Sequence, residues 1–126
     1  MKESQIQLYY KEFLTEKKYD LIDKFFHKDC TITLHPKHVA SGTYNIEQLP
    51  DLLTRLDKGF PGWKEKIENI YHDKSKNTYI VVAKANSINI KDMWDIHFIK
   101  YENDKIINYD VRIDTLHLAE SNIGAR

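Results

Sequence analysis

Four strand-like segments follow one another in the second half of the chain, and only short turns separate them. They cover residues 64–72, 78–88, 93–101 and 105–114. In the first half of the chain, a single shorter strand is predicted at 31–35. Strands joined by short turns pair antiparallel, because a parallel connection needs a crossover of about a dozen or more residues. The second half therefore predicts a four-stranded antiparallel meander.

The first half of the chain carries helical patterns. Residues 3–15 and 18–28 have apolar side chains at helical spacing. Asn45 and Gln48 have the spacing of a capping box, which predicts that a third helix begins there and ends near Lys58. Helices followed by an antiparallel sheet indicate the α+β class.

Composition limits the function classes. A chain of 126 residues with 41% hydrophobic and 30% charged residues fits one folded domain, residues 1–126. Lys plus Arg equals Asp plus Glu, 19 each, so no basic excess supports nucleic-acid binding. Apolar runs are too short for a membrane span, and no apolar leader follows Met1. With Cys30 as the single cysteine, we expect a cytoplasmic protein.

The last two strands can be paired from the sequence. A two-residue loop at Asn103-Asp104 predicts that His97 lies opposite Asp110 and that Asp95 lies opposite Arg112. Directly opposed side chains are about 5 Å apart, so the first pair can form a hydrogen bond and the second an ion pair. A histidine beside a carboxylate can move a proton at neutral pH. The alternative is a polar face that is simply hydrated.

Other motifs favour no metal or cofactor. The segment 35–38 contains two histidines, but the chain has no HExxH or CxxC pattern. It also has no P-loop or dinucleotide fingerprint. We therefore expect no metal and no cofactor, and we expect Trp63 to belong to the core or to a pocket wall.

Several local patterns occur in the order found in one superfamily. They are Tyr10-Lys11-Glu12-Phe13 before residues 20–26, Ser41-Gly42-Thr43 before 44–46, Gly59-Phe60-Pro61-Gly62-Trp63, Asp104-Lys105-Ile106-Ile107, and Asp114-Thr115-Leu116-His117-Leu118. Together they resemble the NTF2-like superfamily, and within it the SnoaL-like group related to polyketide cyclases. The resemblance extends over almost the whole chain.

This resemblance implies a cystatin-like cone, in which a curved antiparallel or mixed sheet wraps three helices around a pocket. It also implies a homodimer formed through the outer face of the sheet. Asp114 corresponds to an acid/base aspartate of the SnoaL-like proteins, with His97 as its assistant and with Asp110 and Arg112 to orient it.

Two more candidates come from the ketosteroid isomerases, which are relatives in the same superfamily. Tyr10 corresponds to their hydrogen-bonding tyrosine, and His35 lies near their general-base aspartate. The alternatives are a core tyrosine and a polar strand end.

The sequence thus suggests a SnoaL-like protein that binds a small apolar or ring-containing molecule. As an enzyme it would be a cofactor-free isomerase, cyclase or hydratase. The alternative is a non-catalytic module that binds a small ligand or forms a dimer. Fold alone does not decide between them.

Overall fold

A computed structural model describes residues 1–35, 40–114 and 116–117. The helices are α1 (Glu3–Tyr9), α2 (Ile22–Phe25) and α3 (Leu49–Gly59). The strands are β1 (Phe26–Leu34), β2 (Gly42–Asn45), β3 (Lys64–Asp73), β4 (Thr78–Asn86), β5 (Met93–Glu102) and β6 (Lys105–Ile113). A π-helical segment, Tyr10–Thr15, continues α1, and short 3-10 turns precede α2 and α3.

The six strands form one sheet in the order β2-β1-β6-β5-β4-β3. All neighbours are antiparallel except β1 and β6, which run parallel, so the sheet is mixed. Aromatic side chains of the helices pack on its inner face, with Phe13 against Tyr9 and Phe26, and Tyr9 against Tyr109. The predicted α+β class is confirmed.

The predicted meander agrees with β3 to β6 within two residues at most ends. The third helix is also confirmed, because the Asn45 side chain accepts a hydrogen bond from the Gln48 backbone and the two residues form a capping box. The second helix is shorter than predicted, since Phe26 pairs with Ile106 at the start of β1. Pairing with a neighbouring strand overrides local helix preference at this point.

The turn between β5 and β6 has the predicted two-residue loop. Asn103 and Asp104 have φ of 50° and 60°, as a type I′ turn requires. Glu102 pairs with Lys105 and Tyr101 with Ile106, again as predicted.

The register beyond the turn was predicted wrongly, because β6 contains a bulge. Lys100 pairs with Asn108, so Ile107 is an extra residue in β6. A slip of one residue moves every later side chain to the other face of a strand. His97 therefore lies opposite Val111, and Asp95 lies opposite Ile113. The predicted contacts of His97 with Asp110 and of Asp95 with Arg112 are wrong.

The bulge decides what surrounds the ionisable residues of β5. Asp95 and His97 are buried on the inner face, where their β6 neighbours are Val111 and Ile113 rather than charged side chains. Asp110 and Arg112 lie on the outer face.

Among the described residues, no helix is long and apolar enough to cross a membrane.

Candidate active site

A cavity of about 120 Å³ opens between the helices and the inner face of the sheet. Its volume is close to the roughly 150 Å³ of an engineered cavity that holds one benzene ring. Most of its wall is apolar, formed by Phe13, Phe26, Ile32, Leu49, Leu52, Leu53, Leu56, Phe60, Trp63, Val111 and Ile113. Ionisable side chains reach it at one end from the strands, through Glu65, Asp95 and His97.

His97 is the centre of this polar end. Its Nε2 lies 2.9 Å from Asp95 Oδ2 and 3.4 Å from Glu65 Oε2. On the other side of the ring, Nδ1 contacts the hydroxyl groups of Tyr109, at 2.9 Å, and of Tyr10. The three ionisable side chains are almost fully buried, with exposed fractions of 2% to 3%.

Small residues on β4 let the two carboxyl groups approach each other. Glu65 belongs to β3 and Asp95 to β5, with β4 between them. The β4 residues paired with them are Ala85 and Ala83, and both are completely buried. Neighbouring strands are about 4.8 Å apart, so a larger side chain at either alanine would fill the space over which the carboxyl groups meet.

Burial raises the pKa of Glu65 well above its ordinary value, and the charge of Asp95 together with a hydrogen bond between the two side chains raises it further. Two carboxyl groups can share a hydrogen bond only when one of them carries a proton. Within the described part of the chain, Glu65 Oε1 is buried and has no hydrogen-bond partner, which also disfavours the charged form of this carboxyl group. Asp95 Oδ2 also forms a hydrogen bond of 2.9 Å with His97 Nε2.

The tyrosines fix how protons are arranged around His97. Burial raises the pKa of Tyr10 and of Tyr109 well above the ordinary value, so both hydroxyl groups keep their protons at neutral pH. An Nδ1 that accepts a hydrogen bond from a tyrosine leaves the ring hydrogen on Nε2, which then donates to Asp95. This tautomer places the His97 ring between two tyrosine hydroxyl groups and the Asp95 side chain.

The same three residues have the donor set of a cation site. One ligand atom each from Glu65, Asp95 and His97 lie within 4.8 Å of one another. Oxygen and imidazole ligands suit a divalent ion such as Zn²⁺. To bind it, Glu65 would have to lose its proton and His97 would have to move its hydrogen from Nε2 to Nδ1.

Comparison with known proteins identifies the fold of this chain. No protein-family model matches the sequence, and no curated protein matches it. A Jannaschia sp. CCS1 protein named as a SnoaL-like polyketide cyclase superposes with a TM-score of 0.76 at 14% identity, over 94% of this chain and 88% of that one. The chain has the fold of the SnoaL-like polyketide cyclases.

Two further solved structures also superpose on this chain. Bal32a, from a soil-derived mobile gene cassette, has a TM-score of 0.80 at 10% identity, with 96% of this chain and 94% of that one covered. An LEH-like epoxide hydrolase from M. tuberculosis has a TM-score of 0.68 at 13% identity, with 94% and 86% covered. The expected NTF2-like, SnoaL-like architecture is confirmed.

The SnoaL-like fold brings together some of the residues predicted from the sequence. Asp95, His97 and Trp63 line the cavity. Tyr10 lies behind His97, with the two rings stacked at 5.6 Å between centroids. Their roles in binding or catalysis stay predictions.

Three other predicted residues form a separate group on the outer face. His35 Nε2 lies 2.8 Å from Asp110 Oδ1, and Arg112 Nε lies 3.5 Å from the same oxygen. The Arg112 guanidinium also stacks over Phe98 at 5.2 Å. Asp110 therefore pairs with His35 and not with His97, because the bulge in β6 turns it away from the cavity.

Asp114 lies just beyond β6. Its backbone N–H donates to the Trp94 carbonyl, and its Oδ1 accepts a hydrogen bond of 3.0 Å from the His117 backbone N–H. Among the described residues it is not part of the cavity wall. The acid/base role implied for it by the SnoaL-like resemblance stays a prediction, and Thr115 and residues 118–126 lie outside the described residues.

Glu65 and Tyr109 are the residues that the sequence analysis missed. Glu65 has one weak signal, since Trp63, just before β3, and Ile67, within it, lie two positions away on either side. A lone glutamate between two apolar residues on one strand face indicates a buried carboxyl group. Tyr109 was missed because the predicted register placed it on the face of the hairpin opposite to His97, whereas in the structure it pairs with Ile99 on the same face as His97.

Proposed function

We propose that this protein is a cofactor-independent acid/base enzyme that moves a proton on a small, mostly apolar, ring-containing substrate. The observation that carries the proposal is the buried pair of carboxyl groups, Glu65 and Asp95, at the end of an apolar cavity. Environments that push the pKa values of two neighbouring groups apart supply an acid and a base at the same pH.

The proposed step uses both carboxyl groups at once. Asp95, as the carboxylate, takes a proton from the carbon next to a carbonyl group while Glu65 gives its proton to the carbonyl oxygen. A C–H bond breaks, an O–H bond forms, and the product is the enol, with no net loss of protons or electrons. When Glu65 takes the hydroxyl proton back and Asp95 returns its proton to the same carbon, the ketone is restored; in a ketone with a β,γ C=C bond the enol is a dienol, and return of the proton to the γ carbon moves the double bond into conjugation, so the substrate is isomerised and the pair is restored.

The surroundings support this step. Apolar walls keep water away from the carboxyl groups, which strengthens electrostatic interactions within the cavity. The His97 N–H hydrogen bond holds the Asp95 carboxylate in place, and the two tyrosine hydroxyls hold His97. The name of one neighbour, an LEH-like epoxide hydrolase, makes hydration of an epoxide the second reaction to assay, because it also needs an acid and a base.

The test follows exchange of substrate protons with D₂O for a panel of cyclic ketones, and ring opening for cyclic epoxides. We expect the wild type to exchange at least one ketone faster than buffer. His97→Ala lowers that rate by at least about tenfold, because the base is no longer oriented. Asp114→Asn lowers it less than His97→Ala does, which separates the buried pair from the alternative acid/base residue.

Chelation is the matched control for a metal-dependent reaction. We expect the same exchange rate after dialysis against EDTA and after addition of Zn²⁺. A rate that disappears with EDTA would contradict the cofactor-independent mechanism. Binding of ketones without any exchange would contradict enzymatic function and leave a ligand-binding module.

We also propose a homodimer in which the outer face of the sheet packs against a second copy. This face carries a strip of apolar side chains across β3, β4 and β5: Tyr71, Ile80, Val82, Trp94, Ile96 and Phe98. Trp94 is 48% exposed, and Lys84 lies over its ring at 4.8 Å. An apolar strip bordered by charges is typical of the centre and rim of a protein interface.

Trp94→Glu should convert the dimer into a monomer, because it places a charge in the centre of the strip. Light scattering after gel filtration should give twice the chain mass of 15.0 kDa for the wild type and a single chain mass for the variant. Ile88→Glu is the control, since Ile88 is 78% exposed but lies in the loop after β4. A wild-type protein with the mass of a single chain would contradict the proposed homodimer.

A cytoplasmic location stays a proposal. Cys30 is buried and unpaired, and burial raises the pKa of its thiol to about 12. A thiol kept protonated and away from solvent is compatible with a reducing compartment.

A further inference from the structure

A second polar group borders the same cavity, away from the carboxyl pair. Lys17 Nζ lies 3.0 Å from Asp57 Oδ1, and the Tyr19 hydroxyl lies 3.2 Å and 3.1 Å from the two Asp57 oxygens. All three residues line the cavity. The side chains of Lys17 and Asp57 are each 33% exposed, so this group lies where the cavity meets solvent. We call it the outer group.

Aromatic rings separate the outer group from His97. From His97 the wall passes to Tyr109, then Tyr9, then Phe13, and Phe13 contacts Tyr19. Successive ring centroids are 5.2 Å to 5.7 Å apart. A molecule that fills the cavity therefore meets polar groups at two ends and apolar side chains between them.

The backbone holds the outer group under strain. Lys17 has φ of 56°, a left-handed conformation that is uncommon for a residue with a side chain. Lys17 is separated from the π-helical segment, Tyr10–Thr15, by a single residue, Glu16. Its ammonium group contacts Asp57 on α3. Strained backbone of this kind concentrates at ligand-binding positions.

The charges of the outer group select against an anion. Lys17 and Asp57 neutralise each other, while the group still offers donors and an acceptor. It therefore suits a neutral oxygen function such as a hydroxyl. A carboxylate would find no net positive charge at this end and would be repelled by Asp95 at the other.

We infer that the substrate is an uncharged molecule with an oxygen function at each end: a carbonyl for the Glu65–Asp95 pair and a hydroxyl for the outer group. This inference rests on the proposed function for the orientation of the carbonyl end, but the hydroxyl end can be tested separately by binding.

The test measures affinity for three matched probes with one ring each: acetophenone (the phenyl probe), 4-hydroxyacetophenone (the hydroxyl probe) and 4-acetylbenzoate (the benzoate). Dissociation constants come from the NMR shift of the Trp63 indole N–H, which lies in the cavity wall. The Trp94 indole, on the outer face, is the internal reference, and the spectrum of Trp94→Phe assigns the two signals. We expect the hydroxyl probe to bind three- to tenfold more tightly than the phenyl probe, the effect of about one net hydrogen bond. The benzoate should bind most weakly.

The variant Lys17→Met/Asp57→Asn keeps the net charge and removes both charged partners. In it, we expect the two neutral probes to bind with equal affinity. Tyr19→Phe removes only one hydroxyl group and should reduce the preference for the hydroxyl probe over the phenyl probe. It keeps the inference testable if the double variant does not fold. Lys18→Met is the control, because Lys18 pairs with Glu16 at 3.1 Å and does not line the cavity. It should keep the wild-type preference.

A wild type that binds the phenyl and hydroxyl probes equally, binds the benzoate best, or binds none of the three overturns the inference. So does a double variant that keeps the hydroxyl preference. Proton exchange is measured on the same ketones. Loss of exchange with the preference intact would contradict the proposed function while leaving the hydroxyl-binding end supported.

Discussion

Glu65→Gln should lower the rate of substrate proton exchange by about 10² to 10⁴-fold, the usual contribution of a general acid or base. Glutamine has nearly the same shape as protonated glutamate, so it can still hydrogen-bond to Asp95, but it has no acidic proton to give. The loss should therefore appear in kcat, with little change in KM for a ketone. The measurement is the initial rate of deuterium incorporation with the best substrate of the panel.

Glu68→Gln is the matched control for this variant. Glu68 lies three positions along β3 and is exposed, so the substitution changes the same chemical group outside the cavity. We expect an unchanged exchange rate for it. A Glu65→Gln protein that remains folded and keeps more than half of the wild-type rate would remove Glu65 from the mechanism.

The stability of the wild type should fall as the pH rises above the ordinary pKa of glutamate, about 4.3. The folded protein holds the Glu65 proton because burial and Asp95 raise its pKa, whereas the unfolded chain releases that proton first. The stability contributed by this proton is complete below the unfolded pKa and is lost as pH rises towards the folded pKa. The expected slope is about 1.4 kcal/mol per pH unit over this interval.

Urea unfolding at about pH 5, 6 and 7 measures this slope as the difference in pH dependence between the wild type and Glu65→Gln. Glu65→Gln has no proton to release at this position, so its stability should lack the Glu65 part of the pH dependence. Glu68→Gln should follow the wild type. Parallel curves for wild type and Glu65→Gln would mean that Glu65 is ionised in the folded protein.

Local patterns in the sequence predict most of the elements. The capping box at Asn45 and Gln48 marks the third helix, and the left-handed turn at Asn103 and Asp104 marks the last hairpin. Both depend on short-range chemistry that a few adjacent residues determine. The end of the second helix was less predictable, because Phe26 joins a strand whose partner, Ile106, lies far along the chain.

The candidate site was only half predictable for the same reason. Asp95 and His97 were recognised as ionisable residues on one strand face. Their partner Glu65 lies on a strand that does not touch β5, and it meets Asp95 across the alanines of β4. No local pattern describes a contact across an intervening strand. The opposed pairs were wrong because a bulge changes register without changing the turn that precedes it.

The extra residue in β6 has a consequence for how sequences of this fold should be aligned. In the hairpin, the number of residues between the turn and Tyr109 determines which set of side chains faces the cavity and which set lies on the outer face of the sheet. Two homologues that differ by the presence of one residue at Ile107 could have similar sequences in this strand and yet place the matching residues on opposite faces of the sheet. A column that aligns their last strands without a gap would equate a cavity residue of one protein with a surface residue of the other. Functional residues on this strand are therefore transferable between proteins only after the bulge has been located in each.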